Sequence, residues 1–351
     1  MLRRGKTSKS CALACFVYVS TMSVEFLAIS EDTPGPRWAR QFSEYWPAYA
    51  KWWAREGLSG RPTYLESRQA IKRYMPEILG IYDELCELVG GGDVEARFLS
   101  FFCPPRYLAG CSQAIWPGDE PLLVRNYDYD KDAFDAILLK TNWCGRGVIG
   151  TSDGLFGLVD GMNDAGLAAS LTFGGRREVG TGFGVPLILR YILQTCSTAK
   201  EAGDVLKRVP SHMSYNVTVL DAERRYLTAY LTPDRPTVLT HAAVATNHQE
   251  RVEWSSHARF TATVERERYL LQRLTLHPET QEKFIGAFLR PPLYSTAFSA
   301  GFGTLYTAAY RPKTGAVDIH WPGRAWSKSF TDFKEDSVRV VFPEPGKFAA
   351  Y

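Results

Sequence analysis

Leu108-Ala-Gly110-Cys111-Ser-Gln-Ala-Ile-Trp116 leads through a Gly/Asp-bearing turn into Pro121-Leu-Leu-Val-Arg125-Asn-Tyr-Asp128. A flexible, glycine-ended approach opens onto one apolar strand, and a second apolar strand follows at hairpin distance, so the two pair side by side. That pairing brings Arg125 and Asp128 toward the cysteine sulfur. A guanidinium placed there favours the thiolate. The same spacing also suits a Cys111 that is a small buried hydrophobe, with Arg125 and Asp128 as a surface pair.

Short apolar runs continue on the C-terminal side, at Ala136–Leu139, Gly147–Gly150, Gly157–Asp160 and Leu167–Phe173, divided by Gly, Asn and Asp turns. A helix begins near Pro186, a residue favoured at the first helical position, and a second covers Thr198 to Val209. Strands resume at Tyr215–Leu220 and Tyr226–Leu231. Val264 to Leu276 reads as helix, and Thr304–Tyr310 with Ala316–Trp321 form a hairpin around Pro312-Lys-Thr-Gly315. On the N-terminal side, Ser23–Ile29 is a first strand. Aromatic residues at three- and four-residue steps predict a helix over Trp38–Trp53 despite Pro47. Leu65 to Val89 is more helix, broken near Pro76 and stopped at Gly90-Gly-Gly92. Two blocks of strands with helices before and between them predict helices outside stacked antiparallel sheets.

The composition narrows the function. With 351 residues, 45% hydrophobic, 23% charged and a formal charge of +3, the chain is an ordinary folded protein without the basic footprint of a nucleic-acid binder. Seven cysteines, odd in number and without a C-x-x-C pair, support neither a disulfide framework nor a zinc site. The six histidines lack ligand spacing, and H-E-x-x-H, Walker and dinucleotide motifs are missing, so neither metal nor cofactor is expected. Gly180-Thr-Gly-Phe-Gly184 has no basic partner and reads as a structural turn. A basic start and an apolar run from Cys11 to Val19 fall short of the ~20 residues that span a bilayer. Residues 1–22 are read as an upstream extension of a cytoplasmic protein beginning at Met22, with a signal peptide and export as the alternative.

Gly110-Cys111-Ser-Gln, Arg125-Asn-Tyr-Asp128, Asp160-Gly-Met-Asn-Asp-Ala-Gly-Leu167, Tyr215-Asn-Val-Thr218, Ala245-Thr-Asn-His248 and the closing hairpin occur in an order that resembles the peptidase C45 family. That family, isopenicillin N acyltransferase-like, belongs to the N-terminal-nucleophile hydrolases related to choloylglycine hydrolase. The resemblance runs from about Val24 to the C-terminus. It implies an α+β, four-layer αββα fold with an N-terminal helical segment, and autocatalytic cleavage between Gly110 and Cys111. Residues 23–110 would then form a small chain that partners the catalytic domain, 111–351. Glycine before the nucleophile offers no side chain to obstruct attack, and the freed α-amino group, with a pKa of about 7.7–8.0, serves as the base.

Position by position, the resemblance makes Cys111 the nucleophile, with Arg125 and Asp128 holding its amino group. Asn216 takes the place of the oxyanion-hole asparagine, and Thr172 gives a backbone contribution to that hole. Arg266 is the remaining site arginine, with Arg259 and Arg268 as alternatives in register. Asn247 and His248 are supporting positions or a structural turn. Tyr107 and Phe173, among the aromatics before the nucleophile and after Thr172, would line an apolar acyl pocket or else belong to the core. The implied reaction is attack on a linear, non-peptide amide of a small molecule through an acyl-thioester, released to water or to an amine, with no membrane or nucleic-acid partner. The rivals are a Cys/His thiol hydrolase without autocleavage, using His212 or His248, and a catalytically silent scaffold for acylated ligands.

Overall fold

A computed structural model describes residues 23–116, 118–275 and 279–342. The candidate leader in residues 1–22 and the last residue of the helix expected to end at Leu276 lie outside the described residues. The described chain opens with strand β1 (Ser23–Glu31) and helices α1 (Pro36–Ala54), α2 (Tyr64–Tyr74), α3 (Leu79–Leu88) and α4 (Asp93–Leu99). Six strands follow, β2 (Gly110–Trp116), β3 (Leu122–Tyr129), β4 (Ile137–Thr141), β5 (Val148–Asp153), β6 (Gly157–Asn163) and β7 (Leu167–Phe173). Helices α5 (Val185–Thr195) and α6 (Ala199–Arg208) lead into β8 (Tyr215–Asp221), β9 (Tyr226–Leu231), β10 (Val238–Thr240) and β11 (Val244–Ala245). Last come α7 (Ser255–Phe260), α8 (Thr263–Thr275), α9 (Gln281–Phe288), β12 (Thr296–Ala297), β13 (Phe302–Arg311), β14 (Ala316–Trp321), β15 (Arg324–Ser329) and β16 (Asp336–Val341).

Local chemistry accounts for several boundaries. A reciprocal capping box starts α2: the Thr63 hydroxyl accepts the Glu66 N–H, while the Glu66 carboxylate takes the Thr63 N–H at 2.7 Å. Pro76 breaks the helical run into a short 3-10 turn, and α3 ends where Gly90 turns left-handed at φ +89°. Pro47 lies inside α1 without ending it.

Two sheets result. One has nine strands in the order β10-β9-β8-β7-β6-β5-β4-β1-β16; the other runs β11-β2-β3-β13-β14-β15, with β12 on β13. Helix α5 packs on β6 and β7, and α6 on β8 and β9, covering the first sheet. On the far side, α8 packs on β2 and β11, and α9 on β3. The sheets meet through β2, β3 and β7, giving helix, sheet, sheet, helix. The antiparallel expectation holds except at β1, which pairs in parallel with β4 and antiparallel with β16. The N-terminal segment thus contributes a strand to the interior of the larger sheet as well as helices α1 to α4. Among the described residues no helix is long and apolar enough to cross a membrane.

One buried amide ties the two sheets together. Gln113 on β2 donates to Thr218 Oγ1 at 2.7 Å and accepts from Ser170 Oγ at 2.6 Å, so β2 is pinned against β7 and β8. Replacing it by leucine leaves both hydroxyls short of a partner in a dry layer. Gln113→Leu is expected to lower unfolding free energy by about 1–3 kcal/mol, read from urea denaturation at unchanged m-value.

Candidate active site

Alternation along paired strands decides which groups surround Cys111. In the β2–β3 register, Gly110 stands opposite Asp128, Cys111 opposite Tyr127, and Gln113 opposite Arg125. Cys111, Gln113, Arg125 and Tyr127 therefore share the face turned to the other sheet. Gly110, Ser112, Asn126 and Asp128 share the face turned to α8 and α9.

On the inner face Arg125 donates through Nη2 to Cys111 Sγ at 3.2 Å. Its Nη1 pairs with Asp160 Oδ2 at 2.5 Å, and its Nε donates to Leu171 O at 2.8 Å. The plane also lies 4.5 Å over the Tyr127 ring. Asp160, fully buried, accepts from Tyr306 at 2.7 Å and Tyr310 at 2.6 Å. The cysteine is wholly buried in the continuous chain. Burial pushes its thiol up and Arg125 draws it partly back, so the thiolate expected from the guanidinium alone is opposed by the dry surroundings.

On the outer face Arg266 reaches over from α8. It donates through Nη1 to Cys111 O and Ser112 Oγ, both at 2.8 Å, lies 3.5 Å from Asp128 Oδ2, and donates through Nη2 to Asn247 Oδ1 at 2.5 Å. Thr263, Arg266 and Leu270 form the buried stripe of α8, whereas Arg259 and Arg268 are exposed. The structure thus brings Arg266 to the cysteine and leaves the two alternatives on the surface. Asp128 also accepts from Thr304 Oγ1 at 2.7 Å; burial pushes its carboxyl up to about 6 against the pull of Arg266. Arg125 and Asp128 flank Cys111 from opposite faces, so of the two side chains only Arg125 bonds the sulfur, while Asp128 reaches it through its backbone.

Gly110 has little room beside it. A Cβ there would sit 3.2 Å from Asp128 Cβ and 3.1 Å from the Phe302 ring, so a larger residue would displace the carboxylate opposite.

The expected oxyanion hole requires correction. Asn216 Nδ2 is occupied: it donates to the carbonyls of Thr246 and His248, each at 2.9 Å, and lies 3.1 Å from Thr172 Oγ1. Its amide orientation is set by those carbonyls, leaving no proton for an oxyanion. Thr172 spends its hydroxyl proton on Thr246 O at 2.7 Å. Gly174 N–H bonds Ser214 O at 2.8 Å, and the bonded phase of an antiparallel ladder recurs every second residue, so the Thr172 amide faces Asn216 across β8. Both residues hold the 246–248 turn in place. What that turn presents is Asn247: its Oδ1 accepts the Cys111 N–H at 3.2 Å, and its Nδ2 makes only long bonds, to Ala109 O at 3.2 Å and Phe173 O at 3.3 Å. The signal for it lay in Val244-Ala-Thr-Asn-His248, a short apolar run on the edge of β2 whose continuation falls beside Cys111.

Neither histidine of the rival reading bonds the thiol. His212 Nδ1 lies 2.5 Å from Gly180 O, and His248 lies between Thr263 Oγ1 at 2.9 Å and Glu267 at 3.2 Å.

A cavity of about 1000 Å³, its open mouth included, lies beyond Tyr107 and Tyr215, and Cys111 does not line it. Tyr45, Tyr49 and Trp52 of α1 wall it on one side; Tyr107, Tyr129 and Tyr215 form the other. Tyr107 connects it to the cysteine's strand, since its hydroxyl bonds that of Tyr127, the cross-strand partner of Cys111. Phe173 does not line it: fully buried, it packs against Tyr215, Trp254 and His257 as core.

Asp160→Asn keeps the shape but removes the carboxylate paired with the buried Arg125 guanidinium. A loss of about 3–5 kcal/mol is expected, measured by urea denaturation of the purified chain.

Residues 116–326, more than half of the chain, match the family model described as acyl-coenzyme A:6-aminopenicillanic acid acyl-transferase. The match takes in Arg125, Asp128, Asn247 and Arg266 but begins after Cys111. Among solved structures the chain is similar to penicillin V acylase from Agrobacterium tumefaciens, at 14% identity and TM-score 0.46 over 63% of this chain and 86% of that one. It is also similar to an N-acylethanolamine-hydrolyzing acid amidase ortholog of Caenorhabditis elegans, at 14% identity and TM-score 0.44 over 67% and 100%. A mutant conjugated bile acid hydrolase from Clostridium perfringens follows, at 12% identity and TM-score 0.39 over 65% and 96%. No curated protein sequence matches the chain. The chain belongs to the acyl-coenzyme A:6-aminopenicillanic acid acyl-transferase family, the family that its Gly-Cys, Arg-x-x-Asp and Thr-Asn motifs resemble.

Proposed function

We propose that this chain is an autocatalytically activated cysteine amidohydrolase or N-acyltransferase that acts on a linear non-peptide amide through an acyl-thioester on Cys111. The observation that carries the reading is a cysteine directly after a glycine, at the head of a strand, with Arg125 on its sulfur and Asn247, Arg266 and Asp128 around its backbone.

In activation, Cys111 Sγ adds to the Gly110 carbonyl carbon, and the C–N bond breaks as the Cys111 nitrogen takes up the thiol proton. Water then hydrolyses the thioester, leaving a Gly110 carboxylate, a free thiol and a new α-amino group. That amine arises next to Gly110, the residue opposite Asp128, whose carboxylate would hold it. In turnover the amine takes the thiol proton as Sγ attacks the substrate carbonyl, and passes it to the departing amine. Water or a second amine then accepts the acyl group. Arg125 stabilises the sulfur anion, and Asn247 Nδ2, one of whose two long bonds runs to Ala109 O just before the nucleophile, supplies the oxyanion donor once that segment separates. Tyr107 and the α1 aromatics form an apolar acyl wall, so residues 23–110 remain a working partner of 111–351 after cleavage.

Intact-mass analysis of wild type should show two fragments, one ending at Gly110 and one beginning with Cys111, while Cys111→Ala stays as one chain. A full-length wild type with amidase activity would remove the mechanism and favour a Cys/His hydrolase.

The two asparagines separate by kinetics. Asn247→Ala, assayed on material already processed, should lower kcat by roughly 10²–10³ with the fold retained. Asn216→Ala should instead destabilise the fold by about 1–3 kcal/mol, because the His248 carbonyl loses its donor and the Thr246 carbonyl one of two. The reverse pattern would return the oxyanion role to Asn216.

A further inference from the structure

Away from the cysteine, α5 turns two polar side chains inward on one face, Arg190 and, one turn later, Gln194. They are 1% and 4% exposed. Both bind the region that joins β4 to β5. Arg190 Nη1 donates to Thr141 Oγ1 at 2.8 Å, its Nε donates to Phe156 O at 2.9 Å, and its plane lies 4.7 Å over the Trp143 ring. Gln194 Oε1 accepts the Cys144 N–H at 3.0 Å.

Each side chain keeps one buried donor, Arg190 Nη2 and Gln194 Nε2, with no hydrogen-bond partner among the described residues. The Gln194 amide cannot be reversed, because Cys144 N–H demands the oxygen, so the nitrogen is the atom left over. Gln194, Cys144, Trp143, Ile81 and Glu77 line a surface cleft at this point. Arg125 has Asp160 for its charge; Arg190 has no carboxylate, and the Cys144 thiol is the one group that holds its protonation up while burial draws it down to about 9. Buried charges are ordinarily paired.

We propose that the cleft beside Cys144 binds a small monoanion of carboxylate type, which accepts from Gln194 Nε2 and neutralises the field of Arg190. Glu77 limits the charge the site accepts. Its Oε2 is engaged by the Tyr191 hydroxyl at 2.5 Å, which in turn takes a bond from Arg208 at 3.0 Å, so it repels a dianion more than a monoanion. The site is independent of the reaction at Cys111.

Cys144, half-buried in the cleft, reports on it. Iodoacetate and iodoacetamide carry the same alkylating carbon, one anionic and one neutral. Their rate ratio at Cys144, resolved by peptide mass spectrometry on the full chain, should exceed the ratio in urea by about tenfold or more. Added acetate should slow iodoacetamide at the same residue. Gln194→Glu keeps the acceptor for Cys144 N–H and installs a resident carboxylate in place of the free donor. It should abolish both effects, while Glu77→Gln should enlarge the ratio. Equal ratios in folded and unfolded wild type, or a Gln194→Glu chain that behaves as wild type, would overturn the site.

Discussion

The buried guanidinium of Arg125 is the constraint around which the two sheets are assembled. It projects from β3 and is met by a carboxylate on β6, a carbonyl on β7, a hydroxyl on β13 and the sulfur on β2. Desolvating such a charge costs several kcal/mol unless every direction is satisfied. The surrounding chain therefore has to supply Asp160, and Asp160 in turn needs Tyr306 and Tyr310 to satisfy its own oxygens. The sulfur is placed by this electrostatic chain and not by apolar packing, which has no directional preference. Bulk contacts would tolerate a shift of the strand; a guanidinium bonded in four directions does not.

The pleat then divides the labour around one residue. Sulfur chemistry belongs to the layer between the sheets, where water is excluded and Arg125 resides. Backbone chemistry belongs to the layer under α8, where Arg266 binds the Cys111 carbonyl and reaches Asp128. A nucleophile that must lose a peptide bond and then use its own nitrogen benefits from this separation, because the groups that hold the nitrogen differ from those that hold the sulfur. Asn247 stands at the junction, bonded to Cys111 N–H through its oxygen and to Arg266 through the same atom. Gly175 makes that placement possible: left-handed at φ +72°, it passes so close to Asn247 that a Cβ would come within 2.4 Å of its carbonyl oxygen.

What could be read from the chain follows from where the physics is local. The β2–β3 hairpin, the strands to β9 and helices α1, α5, α6 and α8 announce themselves through periodicity, Pro and Gly. Helix α4 is seven residues long, too short for a periodic signal, and β15 and β16 bury only every second residue beside charged neighbours. The parallel partnership of β1 with β4 joins residues more than a hundred positions apart, which no window of sequence contains. The site divides the same way. Arg266 is chosen through the resemblance, and the buried Thr263, Arg266 and Leu270 stripe separates it from Arg259 and Arg268. The proposed exchange of Asn216 for Asn247 is not legible, since two asparagines each followed by a polar or β-branched residue differ only in which carbonyls lie within reach.

The placement of residues 23–110 carries the last consequence. Strand β1 is held on both edges, by β4 and by β16, and α1 contributes the aromatic wall of the cavity. Scission at Gly110 would remove one covalent link while leaving two ladders of hydrogen bonds and a packed core in place, so the fragment has no reason to dissociate. What it would gain is freedom at its new carboxyl end, where Ala109 and Gly110 precede the cysteine and Ala109 is held by Asn247. The proposed cut would thus free the end of the segment without dismantling the wall. A buried cysteine in the continuous chain and an exposed one in the cut chain would then be two states of a single scaffold.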